Sequence, residues 1–362
     1  MLGAIAVLLF FHGVIFSRLA FKKPQVEPDR ALPVSVVICA RNEARSLEEL
    51  LPVLMDQDHR DYEVVVVNDR SEDDTAEILQ WMKPKYERLR IVAIQADEKF
   101  SYGKKIALGV GIRAAKHPQV LLTDADCRPP GREWISCMAA GFRNGRKIVI
   151  GHSPYEVKPG LTSLLERYDG ANKAMQYVGF ALAGFPYMGV GRNLGYTSEL
   201  FYSVRKPGAA QHRHHHLMSG DDDLFINEVA RARNTTAVVD PRSFMITRAT
   251  TDLYTWFVRK RRHYTTARYY RFGHQVLLFL LPFARTVFWL ALIALCVAGA
   301  LREAAIGAGV EICVFQPITL LAFTRLHAGP VKWLALPLEW LFLLLDPIIY
   351  VSTILSKPRR WK

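Results

Sequence analysis

The chain is 362 residues long, 50% hydrophobic and 22% charged, with a formal net charge of +13. A hydrophobic share that high is at the upper edge for a soluble protein, so part of the chain is expected in lipid. The positive charge comes with no nucleic-acid motif, which argues against a nucleic-acid partner and leaves membrane headgroups and a phosphate-binding site to account for it. The five cysteines form no C-x-x-C pair and read as reduced thiols.

The chain opens on an almost wholly apolar run, residues 1–16, followed by Arg18, Lys22 and Lys23. A secretory signal carries its positive charge first, and this segment carries it last. Residues 1–21 are therefore expected to form one membrane anchor whose basic flank stays in the cytoplasm, about 20 residues being enough for a crossing. Residues 22–33, with Pro24, Pro28 and Pro33, form a linker.

Residues 34–38 are a β-branched strand ended by Ala40, Arg41, Asn42 and Glu43, and residues 47–54 follow with helical spacing. A second buried strand over 62–67 ends at Asn68, Asp69, Arg70 and Ser71, after which Asp73, Asp74 and Thr75 open a helix. A strand over 89–93, a helix led by Gly103 and a strand over 120–122 continue the series. Such alternation predicts an α/β domain with a mainly parallel sheet and its ligand outside the carboxyl ends of the strands. Polar residues gather at those ends: Arg41 to Glu43, Asp69 to Asp74, and the pair Asp124 and Asp126. Two carboxylates at i and i+2 past a buried strand suit a hard divalent cation, Mg²⁺ or Mn²⁺, or else cap a turn.

Further along, residues 184–193 are glycine-rich but lack the Gly-Lys-Ser/Thr ending of a phosphate loop; Arg192 and Asn193 are the candidates there. The histidine run His212 to His216 reads as a solvated surface segment, with metal binding as the alternative. Asp221, Asp222 and Asp223 stand at the head of a helical pattern, where the macrodipole favours aspartate caps. Residues 259–263 are five consecutive cations suited to lipid headgroups. Apolar stretches over 276–301, 310–326 and 333–355 predict two or three further spans, with Arg285, Glu311, Glu339 and Asp346 facing protein or the interface. The basic tail 357–362 favours a cytoplasmic end.

The ordered segments Val34-Ser-Val-Val-Ile-Cys-Ala-Arg-Asn-Glu43, Val66-Val-Asn-Asp-Arg-Ser-Glu-Asp-Asp-Thr75, Gly103-Lys-Lys-Ile-Ala-Leu108 and Thr123-Asp-Ala-Asp126 resemble the family-two inverting glycosyltransferases. The resemblance implies a GT-A nucleotide-sugar-binding domain over 34–270, a membrane region over 271–356 and a tail over 357–362. It implies nucleoside contacts from Ala40, Asn42, Glu43 and Asp69, a nucleotide contact from Lys104, and Asp124 and Asp126 around Mg²⁺ or Mn²⁺, with Asp124 also at the nucleotide sugar. It assigns the catalytic base to Asp222, with Asp221 and Asp223 as rivals, and a diphosphate or acceptor contact to Arg262. Where the family has Pro-x-Tyr-Asn-Glu this chain has Cys-Ala-Arg-Asn-Glu, so Arg41 would stack on the base instead of an aromatic ring.

The function these signs imply is metal-dependent transfer of a sugar from a nucleoside diphosphate sugar, a uridine one, to a lipid-linked or cell-envelope glycan. It would take place at the cytoplasmic face of the inner membrane. A processive polysaccharide synthase is the alternative, against which the Gln and Trp of the family's Gln-x-x-Arg-Trp are missing around Arg262. A nucleotidyltransferase or an inactive membrane scaffold is a more distant reading.

Overall fold

The β-branched runs become strands because they are apolar along their whole length, which suits a sheet covered on both faces. In chain order the elements are α1 (Leu2–Ala20), β1 (Val34–Ala40), α2 (Ala44–Met55), β2 (Tyr62–Asp69), α3 (Thr75–Met82), β3 (Leu89–Ile94), α4 (Lys104–Ala114) and β4 (Gln119–Asp124). There follow β5 (Cys127–Arg128), α5 (Trp134–Ala139), β6 (Ile148–Ile150), α6 (Leu161–Leu182), β7 (Leu194–Thr197), α7 (Ser198–Ser203), α8 (Asp223–Val229), β8 (Thr235–Ala237) and β9 (Ile246–Thr247). The last helices are α9 (Leu253–Tyr264), α10 (Phe272–Val297), α11 (Leu301–Arg325) and α12 (Ala335–Leu355). This computed structural model describes residues 1–23, 26–95, 103–203, 220, 222–250 and 252–356.

Contacts divide the chain into two compact units, one of Pro24–Glu156 with Met188–Arg248, the other of Met1–Lys23, Val157–Tyr187 and the chain from Ala249 onward. The first holds a seven-stranded sheet of order β3-β2-β1-β4-β7-β6-β8. All its pairings are parallel except those of β7 with β4 and β6. Because β6 is antiparallel to β7, and β7 to β4, the carboxyl ends of β1, β2, β4, β6 and β8 share one edge with the amino end of β7. In register, Cys39 of β1 stands between Val67 and Asp124, so the loops after three strands leave side by side.

The core under this sheet is formed by Val36, Ile38, Leu50, Leu54, Val64, Val66, Leu121, Trp134 and Met138, among others. On the other face α4 lies so close to the strands that a Cβ on Gly111 would come within 2.6 Å of Val37 and 2.9 Å of Val67. Gly111→Ala is therefore expected to destabilise this unit by about 1–3 kcal/mol through overpacking. A thermal melt in detergent checks it, an unchanged midpoint meaning that α4 shifts freely.

Among the described residues four helices are long and apolar enough to cross a membrane, α1, α10, α11 and the segment Gly329–Leu355, and all four lie in the second unit. The C-terminal third thus supplies three such helices. The charges that lipid would penalise meet one another: Arg285 bonds Glu311 and, at 2.7 Å, Glu339, while Asp346 pairs with Lys260 at 2.8 Å. Composition places a boundary at 270, whereas packing assigns α6 and α9 to the apolar helices. Phe180 of α6 packs on Phe11 of α1, and Gly179 leaves room for Ile15 and Phe16.

Candidate functional site

Three loops meet at the carboxyl edge of the sheet. The loop after β1 is tied to that after β2 by backbone bonds: Asn42 N donates to Ser71 Oγ (3.0 Å), Glu43 N to Thr75 Oγ1 (2.9 Å) and Ala44 N to Asp73 Oδ2 (3.2 Å). Asn42, at φ 55°, accepts from Glu72 N through its side chain (2.8 Å). Burial pushes the Asp73 carboxyl up, but donation from Thr75 and from the Ala44 and Thr75 backbone outweighs it and holds the group below the usual carboxylate range. Ser71, Asp73 and Thr75 are therefore loop fasteners, and Ala40 is buried at the end of β1.

Asp69 ends β2 and is 3% exposed. Its Oδ1 accepts from Arg70 Nε at 2.9 Å, but its Oδ2 is buried with no hydrogen-bond partner among the described residues. A buried acceptor left unpaired costs about 1–3 kcal/mol, so a donor is called for at this point.

Lys104 Nζ donates to Asp124 Oδ1 at 2.7 Å, which makes it more than a surface lysine at a helix start. Glu43 stands in the field of both Asp124 and Asp126: burial first, then these two carboxylates, raises its pKa above the ordinary value. Lys104, Arg192 and Arg248 act on these same carboxylates, so the centre holds cations as well as acidic side chains. Cys127, beside Asp126, is held as a thiol by burial and by the same two aspartates, so the donors offered are hard oxygens, which fit Mg²⁺ or Mn²⁺. Among the described residues no three His, Cys, Asp or Glu side chains form a ready metal cluster, so a cation held by Asp124 and Asp126 would take further oxygens from a diphosphate and water.

The glycine-rich stretch reaches the same edge ahead of β7. Asn193 is buried and saturated, accepting from Trp134 Nε1 (3.1 Å) and donating to the His152 and Ser243 carbonyls (2.8 Å each), so it is a structural joint rather than a ligand contact. Arg192 lies with its guanidinium 4.7 Å from the centre of the Tyr155 ring. Burial would lower its pKa, but the bond with Tyr155 and the Asp124 carboxylate oppose this and keep it charged.

Asp222 caps α8, its Oδ1 accepting from Asp223 N at 2.8 Å, and its Oδ2 accepts from Gly191 N at 2.7 Å. Asp223 is buried and accepts from Leu224 N. Gly220, at φ 94°, makes the left-handed turn into this cluster, a backbone state that suits glycine. Asp221 and the histidine run lie outside the described residues. Asp222 thus performs the capping that the sequence suggested, and Gly191, the residue beside Arg192, is joined to it.

Arg262 lies on α9, in the other unit. Three neighbouring cations, expected at lipid headgroups, are paired within that unit: Arg259 with Glu166 (2.6 Å), Lys260 with Asp169 (2.6 Å) and Asp346, and Arg261 with the Ser352 carbonyl (2.8 Å).

The chain is similar to known proteins in part of its sequence and in fold. Residues 35–183 match the family described as Glycosyl transferase family 2. Over 105 residues, 29% of this chain and 24% of the relative, the chain is 29% identical to a poly-beta-1,6-N-acetyl-D-glucosamine synthase of Staphylococcus aureus (strain COL). It is 28% identical over 138 residues, 38% of this chain and 44% of the relative, to the glycosyltransferase AglE of Haloferax volcanii. The match thus takes in less than half of either curated relative. In fold the chain is similar to a mannosyltransferase from Pyrobaculum calidifontis, solved in complex with GDP-Man and Mn²⁺, at TM-score 0.57 and 21% identity over 95% of this chain and 96% of the other.

Proposed function

We propose that this chain, whose residues 35–183 match the family described as Glycosyl transferase family 2, moves a sugar, with inversion, from a nucleoside diphosphate sugar to a lipid-linked or cell-envelope glycan. The donor is a uridine one and the reaction takes place at the cytoplasmic face of the inner membrane. The observation that carries the reading is Asp69, whose buried Oδ2 lacks a donor among the described residues at the carboxyl end of β2. A nucleobase N–H or ribose hydroxyl supplies one.

From that anchor the residues take their roles. The loop of Ala40, Asn42 and Glu43 flanks the nucleoside, and Arg41 stacks on the base. Lys104 holds Asp124 and faces the diphosphate. Asp124 and Asp126 would hold Mg²⁺ or Mn²⁺, which when bound neutralises charge developing on the departing diphosphate. Asp222, or a neighbour in the cluster 221–223, takes the proton of an acceptor hydroxyl as its oxygen attacks the anomeric carbon. The bond from that carbon to the diphosphate oxygen breaks on the opposite face, so the anomeric configuration inverts. Arg262 is assigned to the diphosphate or acceptor.

The test is release of nucleoside diphosphate by detergent-purified protein across UDP- and GDP-sugars with Mn²⁺ or Mg²⁺. Metal-dependent turnover of a UDP-sugar is the expected result; no binding of any donor would sink the reading. Asp69→Asn replaces an acceptor by a donor at nearly constant volume and is expected to weaken UDP binding roughly ten- to a hundredfold. Calorimetric titration reads this, and unaltered affinity would move the nucleoside away from Asp69.

A further inference from the structure

The segment Gly329–Leu355 is as apolar as a membrane span, yet its contacts fasten it to one side. Arg167 of α6 donates to the Ala328 carbonyl at 2.8 Å, and the next residue, Tyr168, packs on Phe342 at 4.9 Å. Residues 329–341 therefore leave α6 and return to it. From Phe342 onward α12 runs parallel to α9, with Phe342 against Trp256, Asp346 bonded to Lys260, Tyr350 against Tyr264, and the Ser352 carbonyl bonded to Arg261. The α9 sequence holds Arg259, Lys260, Arg261, Arg262 and His263 and has no place in hydrocarbon. About 14 residues of α12, roughly 21 Å at the helical rise, are thus held beside a charged helix, leaving about 10 Å of helix for a core of about 30 Å.

We infer that α12 does not cross the bilayer but dips into the leaflet on the α9 side and lies in its interface, so that the described residues cross three times, through α1, α10 and α11. Two further contacts fix the levels. Arg325, at the end of α11, bonds the Ala20 carbonyl at the end of α1 (3.2 Å), whereas Met1 lies against Gly307 near the start of α11. The ends of α1 and α11 thus share one side, and α10, entered from α9, connects that side to the other. On α12, Leu344, Ile348, Val351 and Leu355 form one exposed stripe, while Phe342, Ile349 and Thr353 are buried on the opposite one. This is the arrangement of an in-plane helix whose apolar stripe enters the acyl chains and whose other face rests on protein. With three crossings Arg18, Lys22, Lys23 and Lys332 all fall on one side, as the distribution of positive charge requires.

The test is peptide-resolved labelling of intact and permeabilised cells by a membrane-impermeant maleimide, using Ala298→Cys, Lys332→Cys, Ser356→Cys and Lys362→Cys singly in the full chain with Cys296 and Cys313 replaced by serine. Ala298 and Lys332 lie on opposite sides whether α12 crosses or not, and so define the two patterns. The expected result is that Ser356→Cys and Lys362→Cys both label as Lys332→Cys does. Labelling of either with the Ala298→Cys pattern shows a fourth crossing and overturns the inference, without bearing on the sugar-transfer reading.

Discussion

Asp126→Ala is expected to lower metal-dependent release of nucleoside diphosphate by about a thousandfold, the scale on which losing preorganised charge stabilisation acts. Asp126 is exposed, so the change should cost the fold little. Asp124 cannot make good the loss, since Lys104 already engages one of its oxygens at 2.7 Å. The variant should also need far more Mn²⁺ for half-maximal activity while binding the bare nucleoside as before, because Asp69 is untouched. A Mn²⁺ titration beside a uridine-binding measurement separates the two. If the metal requirement stays where it was, the cation is held elsewhere and the pair Asp124 and Asp126 is only a turn.

The edge on which this prediction stands was legible because a parallel sheet announces itself locally. Each Val- and Ile-rich run is ended by the residue that the strand delivers to the edge, so Asp69 and Asp124 were marked by position alone. What escaped depends on partners distant in sequence. Glu43 reads as a residue of the first loop, and only the fold sets it among the carboxylates that follow β4. Asn193 looks like a polar residue of a glycine-rich loop, yet Trp134, His152 and Ser243 occupy its amide completely. The cations of α9 look like a lipid-facing patch, and their pairing with Glu166, Asp169 and Asp346 required α6 and α12 to be placed beside them. Hydropathy marked the apolar segments of the C-terminal third, but length and apolarity cannot tell a crossing helix from one held in the interface, which is decided by its neighbours.

The acidic cluster carries the second large effect, and there two roles compete for one side chain. Asp222→Asn is expected to lower kcat by two to four orders of magnitude, the usual contribution of a positioned base, while the affinity for donor in the presence of metal stays within a few-fold. Asp222 also caps α8 and receives Gly191 N–H at 2.7 Å; asparagine caps as well as aspartate but keeps only one acceptor oxygen, so the same variant should lose one of these two bonds, about 0.5–1.5 kcal/mol of stability. Stability alone therefore cannot identify the base; the split between kcat and donor affinity can. Each Asp222 oxygen already accepts one backbone N–H, but a carboxylate oxygen has a second lone pair for an acceptor hydroxyl, and bonds from Gly191 and Asp223 fix its direction. Asp223, buried and bonded to Leu224 N, is expected to show mainly the stability loss when changed to asparagine. If Asp221→Asn is the variant that abolishes turnover at unchanged donor affinity, and Asp222→Asn only lowers the melting temperature, then Asp222 is the cap of α8 and the proton goes to its neighbour.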